Sequence, residues 1–222
     1  TVSPTYFYRG VQYQCFYVQE SPLWREMAEK ENFNFIEIQG GSVATTSLTA
    51  INQLINRGVD GIIFCFSDPS GVAVGIEDAW QNDIPVLSSG IRPAKNATTP
   101  FVGWDGQKIG RDTGRAAGQY FKDNYPNTAA KVLITNTRTI DFNIEKEEGF
   151  IAGLKEVLPN AEITAQLEDN GVVQDVTRLV SASLSANPEV NILVGTNDLR
   201  AQGIVQAVAG INFDTQAVVV GF

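Results

Sequence analysis

The sequence contains no histidine, and only two cysteines and one methionine in 222 residues. Without an imidazole base, Ser-His-Asp and Cys-His mechanisms are excluded, as are zinc sites of the HExxH type. A chain of this length buries roughly 70–75% of its unfolded surface, so it needs no disulfide or metal to hold a core. Cys15 and Cys65 are accordingly expected as buried free thiols. Cations are scarce as well: 16 Lys and Arg stand against 25 Asp and Glu, a net charge of −9 with a pI near 4.5. Phosphate backbones are bound by clustered cations, so nucleic acid is not an expected partner. No apolar run approaches the ~20 residues of a spanning helix. The turn after the first strand-like run, Val18-Gln19-Glu20-Ser21-Pro22, lacks the glycines of a dinucleotide fingerprint, and there is no Walker A motif. No cofactor is expected.

What is present is an alternation. Short apolar runs rich in Val, Ile and Phe read as strands at Tyr13–Val18, Phe33–Ile38, Gly61–Phe66, Ile84–Ser88, Phe101–Trp104, Lys131–Thr135, Ile163–Leu167, Asn191–Val194 and Ala217–Phe222. Between them lie helical stripes, such as Leu48, Ile51, Leu54 and Ile55, or Leu179, Val180 and Leu184. This order predicts an α/β fold of doubly wound, parallel-sheet lobes. Ser21-Pro22 reads as an N-cap followed by proline at the first helical position, and Asn197-Asp198 opens a helix directly after a strand. Gly58 closes one helix and Asn187-Pro188 another.

The pattern helix, tight turn, buried strand, polar turn occurs in Ile55–Asp68 and again in Leu184–Asp198, which implies two similar lobes. The boundary is placed at Trp104, giving an N-terminal lobe over 1–104 and a C-terminal lobe over 105–222 that begins with a long helix from Gln107 to Asn124. The chain stops on a strand with no helix to cover it, so the second lobe is expected to be incomplete and a C-terminal part to be missing.

Open α/β sheets bind ligands outside the C-terminal ends of their strands, so the residues there are the candidates. They are polar and aromatic: Trp24, Ser67, Asp68, Ser88, Ser89, Trp104, Asp105, Arg138, Asp141, Asn143, Asp169, Asn197 and Asp198. Each has a structural alternative. Trp24 is either a core aromatic or a stacking platform for an apolar ring face. Asp105 either caps the next helix or accepts ligand hydroxyls, and Asn197 shares that ambiguity with Asp198 beside it. Arg138 is either a paired surface charge or a ligand contact. Gly106, Gly110, Gly114 and Gly118 recur every four residues, a smooth helical ridge for close packing rather than a phosphate loop. Asp169-Asn170-Gly171 reads as a turn, because the spacing of a calcium loop is lacking.

These residues resemble the type I periplasmic solute-binding proteins, particularly the ribose- and arabinose-binding kind. The resemblance covers nearly the whole chain. It rests on Ser21-Pro22-Leu23-Trp24, Gly58-Val59-Asp60-Gly61-Ile62-Ile63 before Ser67-Asp68-Pro69, Asp83-Ile84-Pro85-Val86-Leu87, Lys108-Ile109-Gly110, Gly149-Phe150, Gly195-Thr196-Asn197-Asp198 and Val218-Val219-Val220-Gly221-Phe222, in that order and spacing. It implies two Rossmann-like lobes clamping one small ligand, a monosaccharide or polyol, for delivery to a membrane ABC permease or chemoreceptor, with a periplasmic or extracellular location and no enzymatic step. By position, Trp24 is the stacking aromatic, Ser89 takes the place of an acidic or basic ligand contact, Trp104 or Asp105 lines the crossing, and Asn197 matches the cleft asparagine. Two departures follow. Ser88-Ser89-Gly90 stands where sugar binders carry Asp-Asp or Asp-Arg. Where the family places a ligand-binding arginine before Gly149-Phe150, this chain has Asn143-Ile144-Glu145-Lys146, so that contact is expected to be absent or to pass to Asn143 or Arg138. The alternative is the effector-binding core of a lac-repressor-type regulator, which shares the fold.

Overall fold

The computed structural model describes residues 2–5, 16–38, 40, 44–64, 70–90, 99–211, 213 and 217–222. The chain divides into two compact units, Thr1–Trp104 and Asp105–Phe222.

The first unit runs β1 (Val2–Thr5), α1 (Phe16–Lys30), α2 (Ala44–Asn56), β2 (Gly61–Phe64), α3 (Ala73–Gln81), β3 (Val86–Gly90) and β4 (Phe101–Gly103). Among the described residues its strands form one parallel sheet in the order β1-β2-β3-β4. Ile51 and Leu54 of α2, Ile76 and Ala79 of α3, Ile62 and Phe64 of β2 and Val86 of β3 make its core. The stripe on α2 is therefore the one the 3.6-residue period marks. Gly58 takes φ 63°, the left-handed conformation that ends α2 and turns the chain into β2.

Three expectations change here. The run Tyr13–Val18 is not a strand where it is described: Phe16–Val18 lie inside α1, and positions 13–15 lie outside the described residues. Beside β2 the sheet holds Val2–Thr5, paired with Gly61–Phe64. Ser21-Pro22 does not start the helix, since Pro22 sits within it. The apolar pairs Phe16-Tyr17, Leu23-Trp24 and Met27-Ala28 follow a helical period, which carries α1 upstream of the proline. Across Phe33–Ile38 the described backbone is irregular except for a bridge residue at Ile38, and Ile36 and Ile38 pack against the core. Cys15, Cys65, Ser67 and Asp68 fall outside the described residues.

The second unit runs α4 (Gly106–Asn124), β5 (Lys131–Asn136), α5 (Asp141–Val157), β6 (Glu162–Glu168), α6 (Val173–Ala186), β7 (Ile192–Gly195), α7 (Asp198–Gly210) and β8 (Val218–Gly221). Its sheet is parallel, in the order β6-β5-β7-β8. Alternate residues of each strand serve opposite faces. Val132, Ile134, Ile192, Val194 and Val220 face the α4/α5 layer, while Leu133 and Leu193 face the α6/α7 layer with Val180, Leu184 and Ile204.

The α4/α5 layer is held together by missing side chains. A Cβ at Gly110 would overlap the Lys146 carbonyl oxygen and lie 2.8 Å from the Phe150 nitrogen. One at Gly114 would overlap the Phe150 carbonyl oxygen, and those at Gly149 and Gly153 would overlap the carbonyl oxygens of Gln107 and Arg111. The two backbones meet directly, so the expected ridge is a helix–helix seam. Around its rim Arg111 and Arg115 of α4 both pair with Glu156 of α5. We expect Gly110→Ala and Gly153→Ala each to destabilise the protein by about 1–3 kcal/mol in urea denaturation, overpacking outweighing the gain in helix propensity. Gly118→Ala, whose Cβ meets mainly side-chain atoms beginning at 3.1 Å, should stay close to wild type.

Candidate functional site

In the second unit the C-terminal ends of β5, β6 and β7 carry Asn136-Thr137-Arg138, Glu168-Asp169 and Thr196-Asn197. α5 starts just after β5 and, pressed against α4, turns Asn143, Lys146 and Glu147 inward; all three are buried. Glu147 collects three donors. Asn136 Nδ2 reaches Oε2 at 2.6 Å, while Arg138 Nη2 and Gln166 Nε2 reach Oε1 at 2.6 and 2.5 Å. The Glu147 carboxylate raises the Arg138 guanidinium pKa above its ordinary value, chiefly through that hydrogen bond. Asn136 also donates to the Asn143 carbonyl at 3.2 Å, and Asn143 Nδ2 donates to the Thr137 carbonyl at 3.4 Å. The Thr196 hydroxyl donates to Asn136 Oδ1 at 3.0 Å, joining β7 to the same cluster.

A second buried pair lies beside it. Arg200 on α7 is 2% exposed and forks onto Asp169, with Nε 2.8 Å from Oδ2 and Nη2 2.8 Å from Oδ1. Arg200 Nη2 also donates to the Thr137 hydroxyl, which itself donates to the Asp169 carbonyl at 2.6 Å. Asp169 Oδ1 accepts from the Gly171 nitrogen at 2.7 Å, so the turn expected at Asp169-Asn170-Gly171 is there, and its aspartate is buried.

Lys146 completes the end of the sheet. Its ammonium donates to the Thr196 carbonyl and lies 4.9 and 5.5 Å from the ring centroids of Phe142 and Phe222. Burial, then the charge of Arg200, lower its pKa from 10.5 to about 8, against an opposing pull from Asp198.

Of the residues expected at the site, the fold brings Arg138, Asn143 and Asn197 to this one end. Asn197 caps α7, its Oδ1 accepting from the Arg200 nitrogen at 3.0 Å, so the cap is Asn197 and not Asp198. Asp105 caps α4, accepting from the Lys108 nitrogen at 2.9 Å, and is exposed. In both cases capping engages one side-chain oxygen. Arg138 is a paired charge rather than a free one. In the first unit, Ser89 is buried on β3, in register with Val102 of β4. Trp104 follows β4 and is 40% exposed. Trp24 on α1 is half-buried, and its indole N–H is shut from solvent with no acceptor among the described residues.

Sequence reasoning missed Lys146, Glu147 and Arg200. A signal was available: Asn143, Glu147, Phe150 and Leu154 share one stripe of α5, and Arg200, Ile204 and Ala207 one stripe of α7. A charged residue in register with a buried apolar stripe marks an internal ionic group.

Comparison with known proteins agrees with this architecture. A family model described as the periplasmic binding protein domain matches residues 13–222. The Escherichia coli ABC transporter periplasmic-binding protein YphF is 27% identical over 169 residues, covering 74% of this chain and 51% of that protein. The chain thus spans about half the length of that curated relative. Among solved structures, an ABC transporter solute-binding protein of Actinobacillus succinogenes with bound D-allose superposes with a TM-score of 0.81 at 18% identity, covering 99% of this chain and 75% of that one. A solute-binding protein of Mycobacterium smegmatis with bound glycerol gives 0.83 at 21% identity, covering 99% and 73%.

Lys146 generates a pH prediction. Its amine holds a proton up to about pH 10.5 in the unfolded chain but only to about 8 when folded, so between these values the unfolded state binds more protons and stability rises with pH. We expect the stability of wild type relative to Lys146→Met, from chemical denaturation at a series of pH values, to increase by about 3 kcal/mol between pH 7 and 10.5. A flat difference would overturn it.

Proposed function

The chain belongs to the periplasmic binding protein domain family, and on that premise we propose that it binds a small polar solute, a monosaccharide or polyol, for delivery to a membrane ABC permease without converting it. The periplasm is the proposed location, and a chemoreceptor is a second candidate receiver. The observation that carries the reading is the set of hydrogen-bonding side chains on the strand ends of the second unit, where Arg138 with Glu147 and Arg200 with Asp169 offset each other's charge. Asn143 and Asn197 add uncharged amides to that set. Paired charges and amides suit neutral hydroxyls, because each wrong ligand leaves buried polar groups unpaired at ~1–3 kcal/mol apiece. The names of the relatives point the same way: one is an ABC periplasmic-binding protein, and two bind D-allose and glycerol.

In this proposal Trp24 packs on the C–H face of a ring, and Ser89, Trp104, Asp105, Arg138, Asn143 and Asn197 are the further ligand contacts. Ligand at about 100 times its dissociation constant adds ~2.7 kcal/mol, enough to raise the melting temperature by a few degrees. A thermal-shift screen of the natural full-length protein against pentoses, hexoses, polyols, nucleosides and amino acids is therefore expected to respond to one sugar or polyol class. No response to any sugar or polyol removes the carbohydrate assignment. Asn197→Ser supplies the residue-level test. Serine caps a helix about as well as asparagine but has no amide, so ligand-free stability should stay near wild type while affinity for the solute found in the screen falls roughly 10-fold by calorimetry.

A further inference from the structure

Among the described residues Arg200 is the largest side chain that is almost fully buried, yet its stripe on α7 is otherwise apolar, with Ile204 and Ala207 below it. A buried ion pair is weak evidence for stability, since apolar replacements of similar volume are often neutral or stabilising. The retained guanidinium calls for another role, and its contacts supply one. Its backbone nitrogen takes the cap from Asn197 Oδ1 after β7; its fork holds Asp169 after β6; its Nη2 holds the Thr137 hydroxyl after β5. Thr137 in turn precedes Arg138, and its carbonyl accepts from Asn143. The side chain thus ties the loops after β5 and β6 to the first turn of α7, whose backbone nitrogen at Arg200 is the one Asn197 caps after β7, and each loop carries or touches a residue of the proposed site.

We propose that Arg200 is a positioning residue for solute binding: its guanidinium, pinned by Asp169 and Thr137, ties the loops after β5 and β6 to the start of α7, in the geometry in which Asn197, Arg138 and Asn143 meet the ligand. The inference rests on the solute-binding reading above. Only a planar fork reaches both partners at once, so the role follows from the guanidinium shape rather than from the charge alone. Preorganised loops bind without first ordering their side chains, which is where the affinity gain arises.

The test separates positioning from stability. In the natural full-length protein, Arg200→Met with Asp169→Leu replaces the pair by apolar groups. Stability in urea is expected to be near wild type, while affinity for the probe, the one of D-allose, myo-inositol and glycerol that wild type binds most tightly, falls at least 10-fold by calorimetry. Thr137→Val is the second variant, needed should the double variant not fold. It cuts the link to the β5 loop and leaves the Arg200–Asp169 pair in place; a fivefold or greater loss of affinity with an unchanged urea midpoint supports the proposal. Arg200→Lys, which keeps the charge without the fork, is expected not to restore binding. Wild-type affinity in a folded double variant, or in Thr137→Val, overturns the positioning role alone. Failure of wild type to bind any of the three probes or any solute of the thermal-shift screen overturns the solute-binding reading and this inference with it.

Discussion

The contact on which the second unit depends is backbone against backbone, between α4 and α5. Side chains normally hold packed helices 8–10 Å apart. Here glycines at 110, 114, 149 and 153 remove them from the seam, and each bare Cα faces a carbonyl oxygen of the other helix. The position of α5 is set by that seam. Gly110 abuts the Lys146 carbonyl, so the register that closes the seam is also the one that presents Asn143, Lys146 and Glu147 to the ends of β5 and β7. A shift of α5 by one residue would rotate Glu147 about 100° away from Asn136, Arg138 and Gln166.

Buried charge gathers where that seam delivers it. Glu147 is shared among three donors, and Arg200 and Asp169 satisfy each other with help from Thr137 and Gly171. Such a cluster is expensive unless every member is bonded, and it then gives a stiff platform. Lys146 differs: it has a carbonyl and two aromatic faces but no carboxylate at contact distance among the described residues, and its proton affinity drops accordingly. The same end of the sheet therefore combines two compensated ion pairs with one amine whose charge the surroundings tolerate poorly.

Much of this was legible in the amino acids. The alternation of apolar runs and helical stripes marked the parallel α/β class, and most strands from Gly61 onward begin or end within two residues of where they were expected. The four-residue glycine spacing marked a close helix contact, although nothing local named α5 as the partner. In the first unit the reading failed at α1 and at Phe33–Ile38. Both are short apolar runs in which helix, strand and packed loop share one composition, so the outcome rests on which neighbour supplies hydrogen bonds.

The sequence by itself determined the fold class, the residues that end the strands, and the capping ability of Asp105 and Asn197, because these depend on local periodicity and on side chains that bond their own backbone. Tertiary structure alone decided which of those groups are spent. Arg138 is neutralised by Glu147 nine residues on, and Arg200 is committed to Asp169 and Thr137, 31 and 63 residues away. Pairing of charges across such separations is fixed by where the parallel sheet and the glycine seam bring the chain back, and no local pattern records it.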